Sequence, residues 1–308
     1  MKPTISLDLP RLVCRPALPK DTDAIMELTS MIWNGHDYIR YVWRDWLADP
    51  QGLLAVAEFG AKIVGMGKLT KLDDENWWME GLRVHPAFEG RGFASHIQEY
   101  LLQQWEQQGK GAARLATSSQ RVPVHRICQR TGFERIAEIT AFSADTHEAG
   151  LLPRSGEGEG GFVRVAEGEL EAAWAFAAQN PLYQLWAGLI DLGWQWMPLQ
   201  KDTLWQQIQT GQAFWWRGKT GLLLCGEDED EDEPGKITAM MRWVGCQPDA
   251  LEALCREYRC LAREQGYPKA SWIAPLQPEI TDALEKAGFQ REWEQSLYIF
   301  EKWYNPAR

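Results

Sequence analysis

The stretch VHPAFEGRGFASH, Val84 to His96, decides how the rest of the chain is read. An apolar run, NWWMEGLRV, leads into it. A helical pattern with Ile97, Leu101, Leu102 and Trp105 on one face leads out. Gly90 and Gly92 stand one residue apart, with Arg91 between them. A strand, a glycine turn and a helix together make an anion site. The first amides of a helix have no intrahelical partner, the macrodipole adds about half a positive charge, and glycines let a phosphate reach the backbone. A P-loop is excluded, because neither GxxxxGKS nor GxxxxGKT occurs. A dinucleotide fold fits poorly: Ser95 stands where a third glycine belongs, and the preceding strand follows a hairpin rather than a βαβ entry. On these residues alone a plain tight turn stays open.

The whole chain narrows the choice. Its 308 residues suit two domains, and 45% hydrophobic residues supply their cores. No apolar run approaches the ~20 residues that cross a bilayer. The opening MKPTISLDLPRLVCRP lacks the apolar centre of a secretory signal. The expectation is a soluble, cytoplasmic protein. Its six cysteines form no CxxC pair and no zinc-finger spacing, which predicts free thiols and no metal. A net charge of -11 speaks against a nucleic-acid partner. Glu227 to Glu233, EDEDEDE, supplies seven of those charges. It reads as a solvated loop between two strands, with weak Ca²⁺ binding as the lesser reading. Several of the 17 tryptophans cluster between Leu182 and Gln207. They suit core or domain-interface packing, or the wall of a pocket.

Along the chain, residues 12–17 read as a strand and 19–35 as a helix with Asp21 as N-cap. A second helix covers Tyr38–Leu47. A hairpin of 52–59 and 62–70 follows, then a strand at 76–84, the glycine turn and a helix over 93–108. Residues 112–118 form a strand, VPVHRICQRTGF carries a helix, and 135–144 form a last strand. Residues 145–161, rich in Gly and acid, read as a linker. The second half repeats this order, and LEKAGFQRE (284–292) mirrors CQRTGFERI (128–136). The chain therefore reads as a tandem repeat of one α+β domain. The second copy has no EGRGFA; WVGCQPDALEAL runs straight across.

The string LRVHPAFEGRGFASHIQEYLL resembles the cofactor motif of the GNAT N-acetyltransferases, V-x-P followed by Gln/Arg-x-x-Gly-x-Gly/Ala. Val84, Pro86, Gly92 and Ala94 match, while Glu89 departs from the usual Gln or Arg. Gly132-Phe133 matches a later Gly-Phe signature. The strand order of 12–145 follows the family, as does that of 160–303 more faintly. The resemblance implies two tandem GNAT-like domains, each a mixed, mostly antiparallel twisted sheet flanked by helices. The boundaries expected are 1–146 with an acetyl-CoA site, 147–161 as linker, and 162–308 without a cofactor site. A narrower likeness joins GHDYIRYVWRDWLADP (35–50) and MEGLRVHP (79–86) to histidine N-acetyltransferase-like proteins.

The activity implied is direct transfer of an acetyl group from acetyl-CoA to a primary amine of a small molecule or amino acid. A protein or peptide amine, and a non-catalytic acyl-CoA sensor or scaffold, are the alternatives. No membrane partner is expected, and a homodimer is left open. By resemblance, the backbone of Leu82, Arg83 and Val84 holds the pantetheine arm, with Val84 N–H as oxyanion donor. Glu89, Gly90, Arg91, Gly92, Phe93, Ala94 and Ser95 hold the pyrophosphate, and His125 contacts the cofactor. Glu80, four residues before Val84, is expected to share its side of the sheet. Beside two tryptophans it is partly desolvated, as a base working near neutral pH requires. A structural ion pair of Glu80 with Arg83 or Arg114 is the other reading. Cys128 stands where the family carries a Tyr acid, and either donates a proton or is simply buried. His36, Asp37 and Tyr38 lie where the family builds its acceptor site. Helix capping by Asp37 and packing by Tyr38 remain open beside that role.

Overall fold

A computed structural model describes residues 11–147, 161–229, 235 and 237–305. In the first half, β1 (Leu12–Pro16) is followed by α1 (Thr22–Ser30), α2 (Ile39–Ala48), β2 (Leu53–Phe59), β3 (Lys62–Lys71), β4 (Asn76–Val84) and α3 (Phe93–Glu106). Then come β5 (Ala112–Ser118), α4 (Val122–Arg130) and β6 (Glu134–Asp145). Strands β1 to β4 form an antiparallel meander, and β5 joins β4 in parallel. Ile25, Ile39 and Trp43 of α1 and α2 are buried against Leu54, Val56 and Met66 on one face of this sheet. On the other face Gly65 and Gly67 lie under Ile97 and Leu101 of α3, so close that a methyl group at Gly65 would sit 2.6 Å from Ile97. Asp21 does not cap α1 through its side chain. Its carboxylate accepts the Leu18 N–H at 2.8 Å and both ends of the Arg15 fork, and these partners hold its acid strength above that of an ordinary carboxyl.

The second half runs β7 (Phe162–Arg164), α5 (Leu170–Gln179), α6 (Pro181–Leu185), β8 (Leu189–Asp191), β9 (Trp196–Pro198), α7 (Lys201–Gln209) and β10 (Ala213–Trp216). It continues with β11 (Gly221–Glu229), β12 (Ile237–Gly245), α8 (Leu251–Glu264), β13 (Lys269–Pro275), α9 (Pro278–Lys286), β14 (Gln290–Arg291) and β15 (Leu297–Trp303). The repeat holds at the level of geometry. Strand β12 pairs with β13 in parallel, as β4 does with β5. Phe133 N–H donates to Cys128 O, and Phe289 N–H to Leu284 O, both at 2.9 Å. The glycines before them have φ of +83° and +85°. Each helix is thus closed by the same left-handed C-terminal turn. The tryptophan-rich segment forms α6, the β8–β9 hairpin and α7, with Trp186 and Trp196 buried.

The compact units divide differently from the expected 1–146 and 162–308. One holds the described residues as far as Leu115, Pro123–Glu134 and Glu301 onward. The other holds Ala116–Val122 and Arg135–Phe300. Strand β6, read as the end of the first copy, pairs along its length with β13, from Ile139 with Pro275 to Asp145 with Lys269. The chain's last strand instead ends in the first unit, where Glu301 meets Arg114 and Tyr304 N–H meets Gly111 O. Both copies close with the same helix, Gly-Phe and strand. Two such equivalent strands can exchange sheets at little cost. Of the expected linker only the end residues 147 and 161 are described; residues 148–160 lie outside the description. The acidic block is not wholly loop. Glu227, Asp228 and Glu229 extend β11, and 230–233 lie outside the described residues. Among the described residues all six cysteines are free, and no helix is long and apolar enough to cross a membrane.

Candidate active site

The glycine turn is built as an anion cradle. Gly90 and Gly92 have φ of +74° and +81°, a region that residues with a Cβ rarely enter. A Cβ on either would meet nothing within 4 Å, so open space lies over both. Gly92 is the N-cap of α3, and the first amides of the helix, Phe93 to Ser95, have no partners inside it. The ring of Phe93 is buried against Phe59 and Phe88, so this residue offers the turn its N–H rather than its side chain. Arg91 lies over the Phe88 ring, and Arg130 of α4 reaches Ser95 Oγ at 2.8 Å. His85 caps the short turn by accepting the Ala87 N–H, and His96 Nδ1 sits 3.0 Å from Gly92 O. Both histidines therefore serve the turn's shape.

A cleft between strands adjoins this cradle. The β4–β5 ladder registers only Asn76–Trp78 with Ala112–Arg114. On the other side of β4, His85 N–H donates to Val64 O at 2.8 Å, which makes that pair hydrogen-bonded. The adjacent pair, Gly65 with Val84, is then the non-hydrogen-bonded kind. The Val84 N–H consequently points away from β3, toward the side on which β5 began as its neighbour.

Glu80 does not share the Val84 side. Lys68 opposes Glu80 and Met66 opposes Arg83, so β4 carries one residue more than β3 between those pairs. This is a β-bulge, and Gly81 within it has φ of +63°. The extra residue reverses the alternation. Val84 faces with Gly65 toward α3, while Glu80 and Arg83 face with Lys68 and Met66 toward α1 and α2. Glu80 is half-buried and accepts a hydrogen bond from Thr70 Oγ1 at 2.5 Å.

On that face the loop between α1 and α2 is strained. Trp33, Asn34 and Gly35 have φ of +48°, +56° and +87° in succession. The two with side chains cost about 1–2 kcal/mol each. Arg83 holds this loop. Its Nε and Nη2 donate to Asp37 at 2.7 and 3.1 Å, and its guanidinium lies 4.4 Å from the Trp33 ring centroid and 5.3 Å from that of Tyr38. Asp37 is 1% exposed and also accepts the Ile39 N–H, capping the start of α2. Burial pushes the Tyr38 phenol up to about 12, so it stays neutral. His36 is exposed. Sequence reasoning gave the Arg83 backbone to the cofactor; its side chain lies on the Glu80 face, and the glycine in mid-strand was the signal that could have shown the bulge.

Residues 22–133 match the profile of the Acetyltransferase (GNAT) family. Residues 22–133 form a GNAT-family domain. The chain is 27% identical to human "Probable N-acetyltransferase 16" over 141 residues, 45% of this chain and 38% of that protein. It is 33% identical to histidine N-acetyltransferase of Oreochromis niloticus over 79 residues, 25% of this chain and 23% of that one. The chain thus spans well under half the length of the curated relatives it matches. Two solved structures share the fold over nearly the whole chain. A GCN5-related N-acetyltransferase from Sphaerobacter thermophilus has a TM-score of 0.61 at 15% identity, covering 97% of this chain and 98% of its own. A tandem GNAT protein from the clavulanic acid biosynthesis pathway has a TM-score of 0.57 at 12% identity, covering 97% and 100%. The chain is two GNAT-like domains in tandem.

Two positions depart from the resembled pattern, Glu89 and Cys128. Cys128 is fully buried, and burial pushes its thiol up to about 12. Passing its proton to an ordinary thiolate, pKa about 8.5, is uphill by about 5 kcal/mol. Of the two readings of Cys128, its burial favours the core one. Cys128→Ala is expected to keep kcat within about threefold and to lose about 1 kcal/mol of stability. A hundredfold fall in kcat with the fold intact, seen in parallel kinetics and thermal melts, would restore the thiol as the acid.

The second copy differs at the matching positions. Counting back from Pro248 as from Pro86, Arg242 stands where Glu80 does. Arg242 is paired at 2.8 Å with Asp191 of β8, a carboxylate only 3% exposed. Before α8 there is no glycine turn. Ala250 has φ of -92°, and Asp249 brings negative charge to the place a phosphate would take.

Proposed function

We propose that the protein transfers an acetyl group from acetyl-CoA to a primary amine of a small molecule or free amino acid, at the site of its first unit. The observation that carries this reading is the cradle at Gly90–Ser95 beside the β4–β5 divergence, with a carboxylate on the opposite face of β4. Acetyl-CoA supplies the activated acetyl group as a thioester. The open space over Gly90 and Gly92 fits its pyrophosphate, held by the amides from Glu89 to Ser95 with positive charge from Arg91. The Val84 N–H is the donor that polarises the acyl carbonyl, and His125, half-buried in α4, borders the cofactor. Leu82 borders the same cleft, whereas the Arg83 carbonyl faces β3 beside Gly65. Glu80 takes the proton that a protonated amine must lose before it attacks. His36, Tyr38 and Asp37 belong to the acceptor side, Asp37 through Arg83.

Burial of Cys128 supports one other reading, a sensor that binds acyl-CoA without turnover, because it leaves the usual acid position empty of a usable proton. Thiol release from acetyl-CoA, followed over free amino acids, polyamines, aminoglycosides and basic peptides beside a CoA thermal-shift titration, separates the two. The transferase reading expects saturable release with one acceptor class. Histidine as the best acceptor would extend the likeness to the histidine N-acetyltransferases. A thermal shift without release on any acceptor would support the sensor, and no shift would sink both.

A further inference from the structure

We propose that Arg83 is a positioning residue for the acceptor: it fixes the strained loop Trp33–Tyr38 as a wall beside Glu80 and contributes no side-chain contact to the cofactor. The inference rests on the acetyltransferase reading for its kinetic part only. Three observations converge. The bulge at Gly81 turns the Arg83 side chain to the Glu80 face and away from the Val84 side. The guanidinium is bidentate to Asp37 and lies over both Trp33 and Tyr38, so one residue fastens both ends of the loop. Between those ends stand the consecutive left-handed residues Trp33, Asn34 and Gly35, a backbone that persists only where its surroundings over-determine it. Arginine suits this role as lysine does not, because a planar fork can pair with a carboxylate and stack on rings at once. Without it, Asp37 keeps a buried charge with its guanidinium partner gone, and the loop relaxes among unstrained conformations. An acceptor then binds only the fraction still in place, which raises its apparent dissociation constant by the inverse of that fraction.

The test uses the full chain and the variants Arg83→Met, Arg83→Lys and Asp37→Asn. Hydrogen exchange read by mass spectrometry needs no acceptor. In Arg83→Met the amides of 33–38 are expected to exchange about 10-fold or more faster, with those of 84–96 unchanged. In steady-state kinetics with the best acceptor of the panel, its KM is expected to rise about 10–100-fold, while kcat and the acetyl-CoA KM stay within about threefold. Arg83→Lys should fall between the two, and Asp37→Asn should reproduce the loop's faster exchange if Arg83→Met does not fold. Unchanged exchange at 33–38 overturns the proposal, as does an acetyl-CoA KM that rises with the acceptor KM. A wild-type chain that binds no CoA would instead sink the acetyltransferase reading and leave the exchange result to judge the loop.

Discussion

Glu301→Gln is expected to destabilise the first unit by about 3 kcal/mol, although residue 301 lies near the chain's C-terminus. Arg114 of β5 is 0% exposed. Its Nη1 donates to Asn76 Oδ1 at 2.6 Å and its Nε to Glu301 Oε2 at 2.8 Å. Its Nη2 lies 2.5 Å from the same carboxylate oxygen as an ion pair without hydrogen-bond geometry. Burial lowers the Arg114 pKa, and the Glu301 charge works against that. An amide at 301 still accepts one hydrogen bond but leaves the guanidinium charge uncompensated in the interior. Breaking such a pair costs about 3–5 kcal/mol, and the retained acceptor sets the lower end. Denaturant unfolding, read beside Lys302→Ala, checks the assignment. Lys302 pairs with Glu106 at 2.9 Å, but Glu106 is half in solvent, so that variant should lose no more than about 1 kcal/mol. Equal midpoints for the two would show that the buried pair carries no special weight. A chain that stops at Phe300 should lose both stability and CoA binding, since the cradle belongs to the unit that Glu301 completes. The second copy has no glycine turn before α8, yet its last strand supplies that residue, which is one reason a chain would retain it.

What the sequence revealed, and what it hid, follows from the range of the forces involved. The cradle was legible because its geometry is demanded by local chemistry: only glycine sits easily at the φ of Gly90 and Gly92. The Gly-Phe helix ends were legible for the same reason, and through them the repeat. The exchange of last strands was not. Strands of equal pattern can take each other's place in the pairing, and sequence adjacency does not choose between them. The side of Glu80 was misread because WWMEGLRV alternates without interruption on paper, while one extra residue in the ladder inverts every side chain beyond it. The Arg83–Asp37 pair spans 46 positions, beyond what periodicity can join. Cys128 was left undecided between acid and core because a thiol's chemistry depends on burial, which a helix pattern constrains only loosely.

Glu80→Gln is expected to lower kcat by about 10²–10⁴-fold with little change in the CoA thermal shift. The substitution keeps the size of the side chain and an oxygen for Thr70 Oγ1 to reach, so the fold around β4 should persist. What it removes is the capacity to take a proton. A primary amine acceptor is mostly protonated near neutral pH, and the fraction free to attack rises about tenfold per pH unit below the amine's own pKa. The wild type passes the amine's proton to its base, so its rate should depend on pH less steeply than the free-amine fraction does. The variant has no such group, so its rate should follow the free-amine fraction alone. The ratio of wild-type to variant kcat should therefore shrink as pH rises, because hydroxide and solvent do more of the deprotonation. Parallel pH profiles separated by a constant factor would mean that Glu80 places the amine rather than deprotonating it. A variant within about threefold of wild type at every pH would remove Glu80 from the chemistry and leave Tyr38, the neutral phenol on the same face, or solvent to handle the proton.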